Sequence, residues 1–207
     1  MERRDNYAVA AAQARRLFAG FDHAALARKL NSRMDGAYFY VTMLAELYRI
    51  HRVTGDISRC VNNTWVDANS FAETLTLLDL VCDSQENRHP TYRWKNMQEF
   101  GNQVHRGLCE PVRNAQADAW QAHADVFAEA CVACGGKKYP LGDEAYAIEV
   151  FDGLCVLLQL WFGDDEFPAQ IRWLWDENAL QYLKYETMYY AVDLITKRIN
   201  DRMKPSA

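Results

Sequence analysis

What this sequence lacks narrows it first. No run approaches the roughly 18 apolar residues that a membrane-spanning helix needs. The longest strongly apolar piece, LCVLLQLWF, is interrupted by Gln159 and suits a buried strand. The opening MERRDNYAVAAAQARRLF mixes acids and bases among its alanines, so it reads as neither a signal peptide nor an anchor. Positive charge is in deficit: the formal net charge is -5. A phosphate backbone calls for a positive surface, and no patch interleaving aromatics with Lys and Arg offsets the deficit, so nucleic acid is not an expected partner. There is no Gly-rich phosphate loop, no GxGxxG, no GxSxG and no HExxH. The five His are scattered, and none stands beside an obvious Cys or Ser partner for nucleophilic catalysis.

What remains is an ordinary globular composition. Of 207 residues, 50% are hydrophobic and 25% charged, enough to bury a single core without staples. One domain over residues 1–207 is expected. Without a leader or a span, a cytoplasmic location with reduced thiols follows, and no membrane partner. Six cysteines in such a chain do not read as a disulfide framework. The glycosylation-like Asn62-Asn63-Thr64 is then a chance match.

Residues 4–18 place Ala, Leu and Phe at helical spacing up to a stop at Gly20, and Asp22 is the expected N-cap of a short helix ending near Asn31. These helices are expected to lay Leu17, Phe18, Phe21, Leu26 and Leu30 on a sheet. From Gly36, AYFYVTML and ELYRIHR suit two or three strands with a turn at Thr54-Gly55-Asp56, although a helix through residues 37–50 fits the same short runs. His51, at a strand end, reads as a surface or capping residue. Ser70 and Glu73 form a capping box for a central helix reaching about Cys82. Phe71, Leu75, Leu78 and Cys82 make one face of that helix, and Leu77, Leu80 and Val81 widen it into core. Residues 83–102 are polar and read mostly as loop or short turns, carrying Arg93, Trp94 and Lys95. Pro111 is expected to open one helix from Val112 to Cys134, with Trp120, Ala124, Phe127, Cys131 and Cys134 in a stripe. AYAIEVF and LCVLLQLWF flank Asp152-Gly153, a favoured hairpin turn, and residues 169–175 complete a three-strand meander. Asp176 caps a short turn, and a final helix runs from about Tyr185 to Met203. The fold class is α+β: an antiparallel sheet of N-terminal strands plus the C-terminal three-strand meander, with helices packed on it.

Three constellations bear on chemistry. Cys131 and Cys134, in CVAC, suit half a zinc site or a redox dithiol, with Cys109 and His105 as further ligands at an unfamiliar spacing. Their place at a helix C-terminus opposes thiolate formation, and both fall on an apolar stripe, so core packing is preferred. Asp164, Asp165 and Glu166 are candidate ligands for a hard cation, but they lack EF-hand spacing and read first as a solvated turn. Trp161, Trp173 and Trp175 suit either core or the walls of a pocket for a flat ligand. Trp173 and Trp175 share a face by the two-residue period, and register decides whether Trp161 joins them. Gln159 among them is costly unless paired.

The C-terminal half, AYAIEVFDGLCVLLQLWFGDDEFPAQIRWLWDENALQYLKYETM, resembles an uncharacterised family found mainly in anaerobic bacteria, domain of unknown function 3786. Trp161, Asp165, Glu166, Phe167, Pro168, Asp176, Tyr182, Leu183 and Glu186 carry the likeness. YRWKNMQEF resembles a middle segment of the family, with Tyr92 in place of its Gly, and Lys95 and Asn96 where it has a hydroxyl residue and Phe. The region of Tyr7 and ELYRIHRVTGDI also fit. Some relatives carry a cysteine-rich segment of iron–sulfur type, like those in corrinoid proteins, ahead of this domain. This chain lacks it, so the resemblance implies no such cluster here.

The expectation is a cytoplasmic accessory or ligand-binding domain without catalytic machinery of its own. Its ligand would be a small molecule or a protein of unknown identity, held between the meander and residues 83–102. Trp94, Trp161, Asp165, Glu166, Trp173 and Asp176 are the candidate binding residues. The alternative is a metal- or cofactor-dependent redox protein of anaerobic metabolism using Cys131 and Cys134, with the cofactor unknown.

Overall fold

The structure, a computed structural model, describes residues 6–101 and 114–204. The fold is α+β with antiparallel strands and packed helices, and its strands divide between two sheets, of four and five strands. The described residues gather into two compact units: those up to Arg88 with Gln181–Leu194, and those of His89–Leu180 with those from Ile195 on.

The first unit opens with helices α1 (Asn6–Ala19) and α2 (His23–Leu30). The Asp22 carboxylate accepts the backbone N–H groups of Ala24 and Ala25 at 2.9 and 3.0 Å, and Asn31 closes α2 in the left-handed region at φ 47°. Strands β1 (Tyr38–Met43), β2 (Glu46–His51), β3 (Ile57–Val61) and β4 (Thr64–Asp67) pair in sequence order. Two of their hairpins turn on residue pairs with positive φ, Leu44-Ala45 at 52° and 60° and Asn62-Asn63 at 48° and 61°. That geometry matches the strand twist. Phe39, Val41, Met43, Tyr48, Ile50 and Ile57 are buried on one sheet face. On the other face Arg49 lies over the rings of Tyr38 and Trp65 at 4.3 and 4.4 Å. His51 is a turn residue, accepting the Thr54 N–H at 3.2 Å. Helix α3 (Phe71–Cys82) starts at the expected box, with the Ser70 hydroxyl accepting the Glu73 N–H at 3.3 Å. Of the five apolar residues expected on the sheet, Phe18, Leu26 and Leu30 are buried. Leu17 and Phe21 are instead 59% and 40% exposed; α1 packs along α3, and its Phe18 meets Phe39 of the sheet edge-on.

The second unit holds the five-stranded sheet, ordered β5-β9-β8-β7-β6. Its centre is the expected meander: β7 (Glu144–Phe151), β8 (Leu154–Trp161) and β9 (Gln170–Asp176), with Asp152-Gly153 turning at φ 46° and 82°. Two three-residue edge strands flank it, β6 (Gly136–Lys138) and β5 (Trp94–Asn96). The expectation of loop or short turns across residues 83–102 is thus corrected at β5, which pairs with β9, while the 3-10 turn Met97–Phe100 is one of the short turns expected there. The single helix expected up to Cys134 is broken into α4 (Asn114–Gln121) and α5 (Ala124–Ala133). The Ala122 N–H still reaches Asp118 O, but the His123 N–H closes back on Trp120 O at 3.2 Å, a tightened last turn. The re-aimed α5 stacks Phe127 on Trp120 with centroids 4.8 Å apart. Helix α6 (Tyr185–Met203), whose residues up to Leu194 belong to the first unit and the rest to the second, runs as expected, with Met188, Val192, Ile195 and Ile199 buried along its stripe. The helix start expected at Pro111 and Val112, and His105 and Cys109, lie outside the described residues.

Candidate functional site

All eight residues singled out from the sequence fall in the second unit, and they do not converge on one cavity. Register places Trp173 opposite Leu158 and Trp161 opposite Gln170, so Trp161 lies on the reverse face from Trp173 and Trp175. Trp161 is 42% exposed, while Trp175 is fully buried. Trp94 pairs with Asp176 across β5 and β9, and its indole N–H donates to the Tyr139 hydroxyl at 3.0 Å. Asp176 is fully buried and accepts four hydrogen bonds: from the backbone N–H groups of Thr91, Tyr92 and Asn178 at 2.8, 2.5 and 2.9 Å, and from the Thr91 hydroxyl at 3.2 Å. This carboxylate stitches the segment before β5 to the end of β9, next to the pairing of β5 with β9.

The acidic loop lines a cavity of about 480 Å³ with Asp118, Gln121 and Phe167. Asp165 belongs to that lining, and the other five candidate binding residues do not. Asp164 caps its own turn by accepting the N–H groups of Glu166 and Phe167 at 2.9 and 2.8 Å, which holds its carboxyl below the usual range. Glu166 is exposed. Cys131 and Cys134 are buried at the end of α5, and burial pushes both thiols up. Among the described residues no group of three or more His, Cys, Asp and Glu side chains is placed to hold a metal ion.

A larger cavity, about 540 Å³, lies within the first unit, where sequence reasoning placed no site. Helix α1 contributes Tyr7, Ala10, Ala14 and Leu17, a stripe at helical spacing whose two alanines leave volume that longer side chains would fill. Helix α3 contributes Phe71, Leu75, Leu78 and Cys82, the stripe expected to be core. Its neighbours Leu77, Leu80 and Val81 are fully buried, so this helix is core on one side and cavity wall on the other. The first turns of α6 complete the walls with Thr187 and Tyr190.

The two ends of this cavity differ in chemistry. At one, Phe71 meets Tyr7 and Tyr190 edge-on, with centroids 4.7 and 4.8 Å apart. The other holds Asp79, Asp83 and Lys184. Asp79, 7% exposed, accepts the Lys184 backbone N–H at 2.8 Å and its ammonium at 2.7 Å, so it caps the start of α6. Burial works against that charge, but hydrogen bonds with Asp83, Lys184 and Thr187 outweigh it and hold Asp79 below the usual range. Burial and the contact with Asp79 push Asp83 up; burial works against the Lys184 ammonium, but the hydrogen bonds and charges of the two carboxylates outweigh it and push Lys184 up. The Cys82 thiol, raised by burial and then by Asp83 to about 12, stays neutral and unreactive at physiological pH. The cavity has the size of a small-molecule site, with a mostly apolar wall and convergent polar groups at one end.

The chain belongs to a family described as a domain of unknown function (DUF3786), matched over residues 22–198. No curated protein and no solved structure matches it.

Proposed function

We propose that this protein is a cytoplasmic accessory domain that binds a small, mostly apolar molecule in the cavity between α1, α3 and α6 and carries no catalytic set of its own. The cavity of about 540 Å³, apolar along its length and polar at one end, carries this reading. The charged groups at that end are engaged with one another, and the one thiol in its wall is held protonated, so the arrangement suits recognition better than bond-making. The family match runs across both compact units, which supports treating them as one module. The five described cysteines are free thiols, consistent with a reducing compartment, and among the described residues no helix is long and apolar enough to cross a membrane.

The test is titration with N-phenyl-1-naphthylamine, a neutral probe whose emission rises and shifts to the blue in apolar surroundings. Saturable binding of one probe per chain is expected, abolished by Ala14→Phe while circular dichroism is unchanged. Non-saturable emission, or binding indifferent to both Ala14→Phe and Ala10→Phe, would overturn the proposal.

A further inference from the structure

The linear sequence has no patch that interleaves aromatics with Lys and Arg, but strand pairing assembles one on the outer face of the four-stranded sheet. Register sets Tyr38 opposite His51 and Tyr40 opposite Arg49, and the two-residue period puts Trp65 of β4 on the same face. The Arg49 guanidinium lies over the rings of Tyr38 and Trp65 at 4.3 and 4.4 Å, and that of Arg33 over Tyr40 at 4.0 Å. We infer that this face docks an extended acidic segment of a partner protein, with carboxylates seated on Arg49 and Arg33.

The evidence is a set of unfilled donors. On the inner face Arg59 meets Glu46 at 2.9 Å and Glu73 at 3.7 Å. Among the described residues, neither Arg33 nor Arg49 has such an ion pair or donates a side-chain hydrogen bond; both are held by rings. The Arg49 Nε is buried without an acceptor, so ring packing fixes the plane of its guanidinium. A guanidinium takes rings on its faces and donates along its edge, which leaves that edge for a carboxylate. The acids on this side do not compete. Asp35 accepts the N–H groups of Ala37 and Tyr38 and the Tyr40 hydroxyl at 2.9, 2.8 and 2.7 Å, and Asp67 accepts the Asn69 N–H and side-chain amide. Arg52 is likewise taken up, by the carbonyls of Asp35 and Gly36.

Shape and chemistry select a peptide among anions. Four strands about 4.8 Å apart make a face about 14 Å across, which suits an extended segment better than a small ion. Leu47, 41% exposed, and exposed Thr42 face each other beside the arginines and give a side chain of the segment an apolar contact. Nucleic acid fits less well, because one face of each ring is already covered by a guanidinium where a base would stack. The chain's net charge of -5 also repels a phosphate backbone far more than a segment with two or three carboxylates.

The test is an NMR titration of the full chain with hexaglutamate blocked at both ends, read at the Nε–H groups of Arg33 and Arg49 and the Trp65 indole N–H. Saturable shifts are expected at all three, weakening severalfold between about 0.05 and 0.2 M NaCl, with none from hexaglutamine. Arg49→Lys keeps the charge but loses the fork and should raise Kd about fivefold, and Arg33→Gln about threefold. Arg16→Gln removes the same charge from an exposed position on α1 and should leave Kd unchanged. If Arg49→Lys disturbs the circular dichroism, the exposed Arg33 decides. No shift up to about 5 mM hexaglutamate, or equal effects of Arg16→Gln and Arg33→Gln, overturns the inference. Tighter binding of hexathymidylate, or self-association abolished by Arg33→Gln, also overturns it and gives the face to nucleic acid or to a second copy of the chain.

Discussion

Replacing Asp176 by Asn changes one oxygen to an NH2 group inside a fully buried site, and the cost follows from four hydrogen bonds. One carboxylate oxygen accepts the Thr91 and Tyr92 N–H groups, and the other accepts the Asn178 N–H and the Thr91 hydroxyl. Asparagine keeps one acceptor oxygen. If it faces Thr91 and Tyr92, the amide NH2 faces the Asn178 N–H, donor against donor, while the Thr91 hydroxyl can rotate to accept. Tyr92 adds to the burden, since its φ of 56° is a left-handed conformation that these bonds hold in place. Losing charge assistance on two bonds costs about 2 kcal/mol, and orphaning one buried N–H costs about 1–3 more, so about 3–5 kcal/mol is expected. Five of the six tryptophans lie in the second unit, so tryptophan fluorescence during urea unfolding reports on the affected unit. Asp176→Ala should cost more, because all four donors lose their acceptor. An Asp176→Asn variant within about 1 kcal/mol of the parent at equal m would refute the reasoning, since it would mean that the carboxylate is not holding these donors.

Other expectations follow from single sites. Gly55 has φ 73°, and an added Cβ would lie 2.6 Å from the Arg15 Cβ, so Gly55→Ala should cost about 2 kcal/mol or more in urea unfolding, against a near-neutral outcome if Arg15 can move aside. The Tyr40 hydroxyl, then the N–H groups of Tyr38 and Ala37, hold the Asp35 carboxyl down at about 2. The stabilisation is present above the ordinary carboxylate range and lost as pH falls toward 2. Tyr40→Phe should move the Asp35 midpoint upward in an NMR titration, and an unmoved midpoint would remove the hydroxyl as the cause. Cys131 and Cys134 should resist iodoacetamide at pH 8 in the folded protein, because both thiols are buried and raised. Fast native labelling of either would restore the redox reading of that pair.

Local signals in the sequence carried the helices and most strands. The Asp22 and Ser70 caps and the Asp152-Gly153 turn each act through their own neighbours, so they are readable without a fold. The Leu44-Ala45 turn is not, because neither residue advertises positive φ; Leu44 adopts it while 98% buried, held by tertiary packing. Edge strands β5 and β6 are three residues each, too short to show a period, and exist through pairing with β9 and β7. The Trp161 face was open until register fixed it. The cavity was hidden for a related reason. An apolar stripe on α3 looks the same whether it meets Leu or Ala, and the space arises because Ala10 and Ala14 of α1 stand opposite it. The aromatic and acidic residues that drew attention first, in the second unit, are absorbed into ladder pairing, an indole hydrogen bond and a self-capped turn.

The central claim is that the cavity along α3 is a ligand site, and the most direct measurement is a methyl NMR titration of protein labelled at leucine, with N-phenyl-1-naphthylamine as the added molecule. Saturable shifts confined to Leu17, Leu75 and Leu78 are expected, with Leu157, Leu158 and Leu160 of β8 unmoved. Shifts centred on β8, or none at concentrations that saturate the naphthylamine emission, would contradict the account.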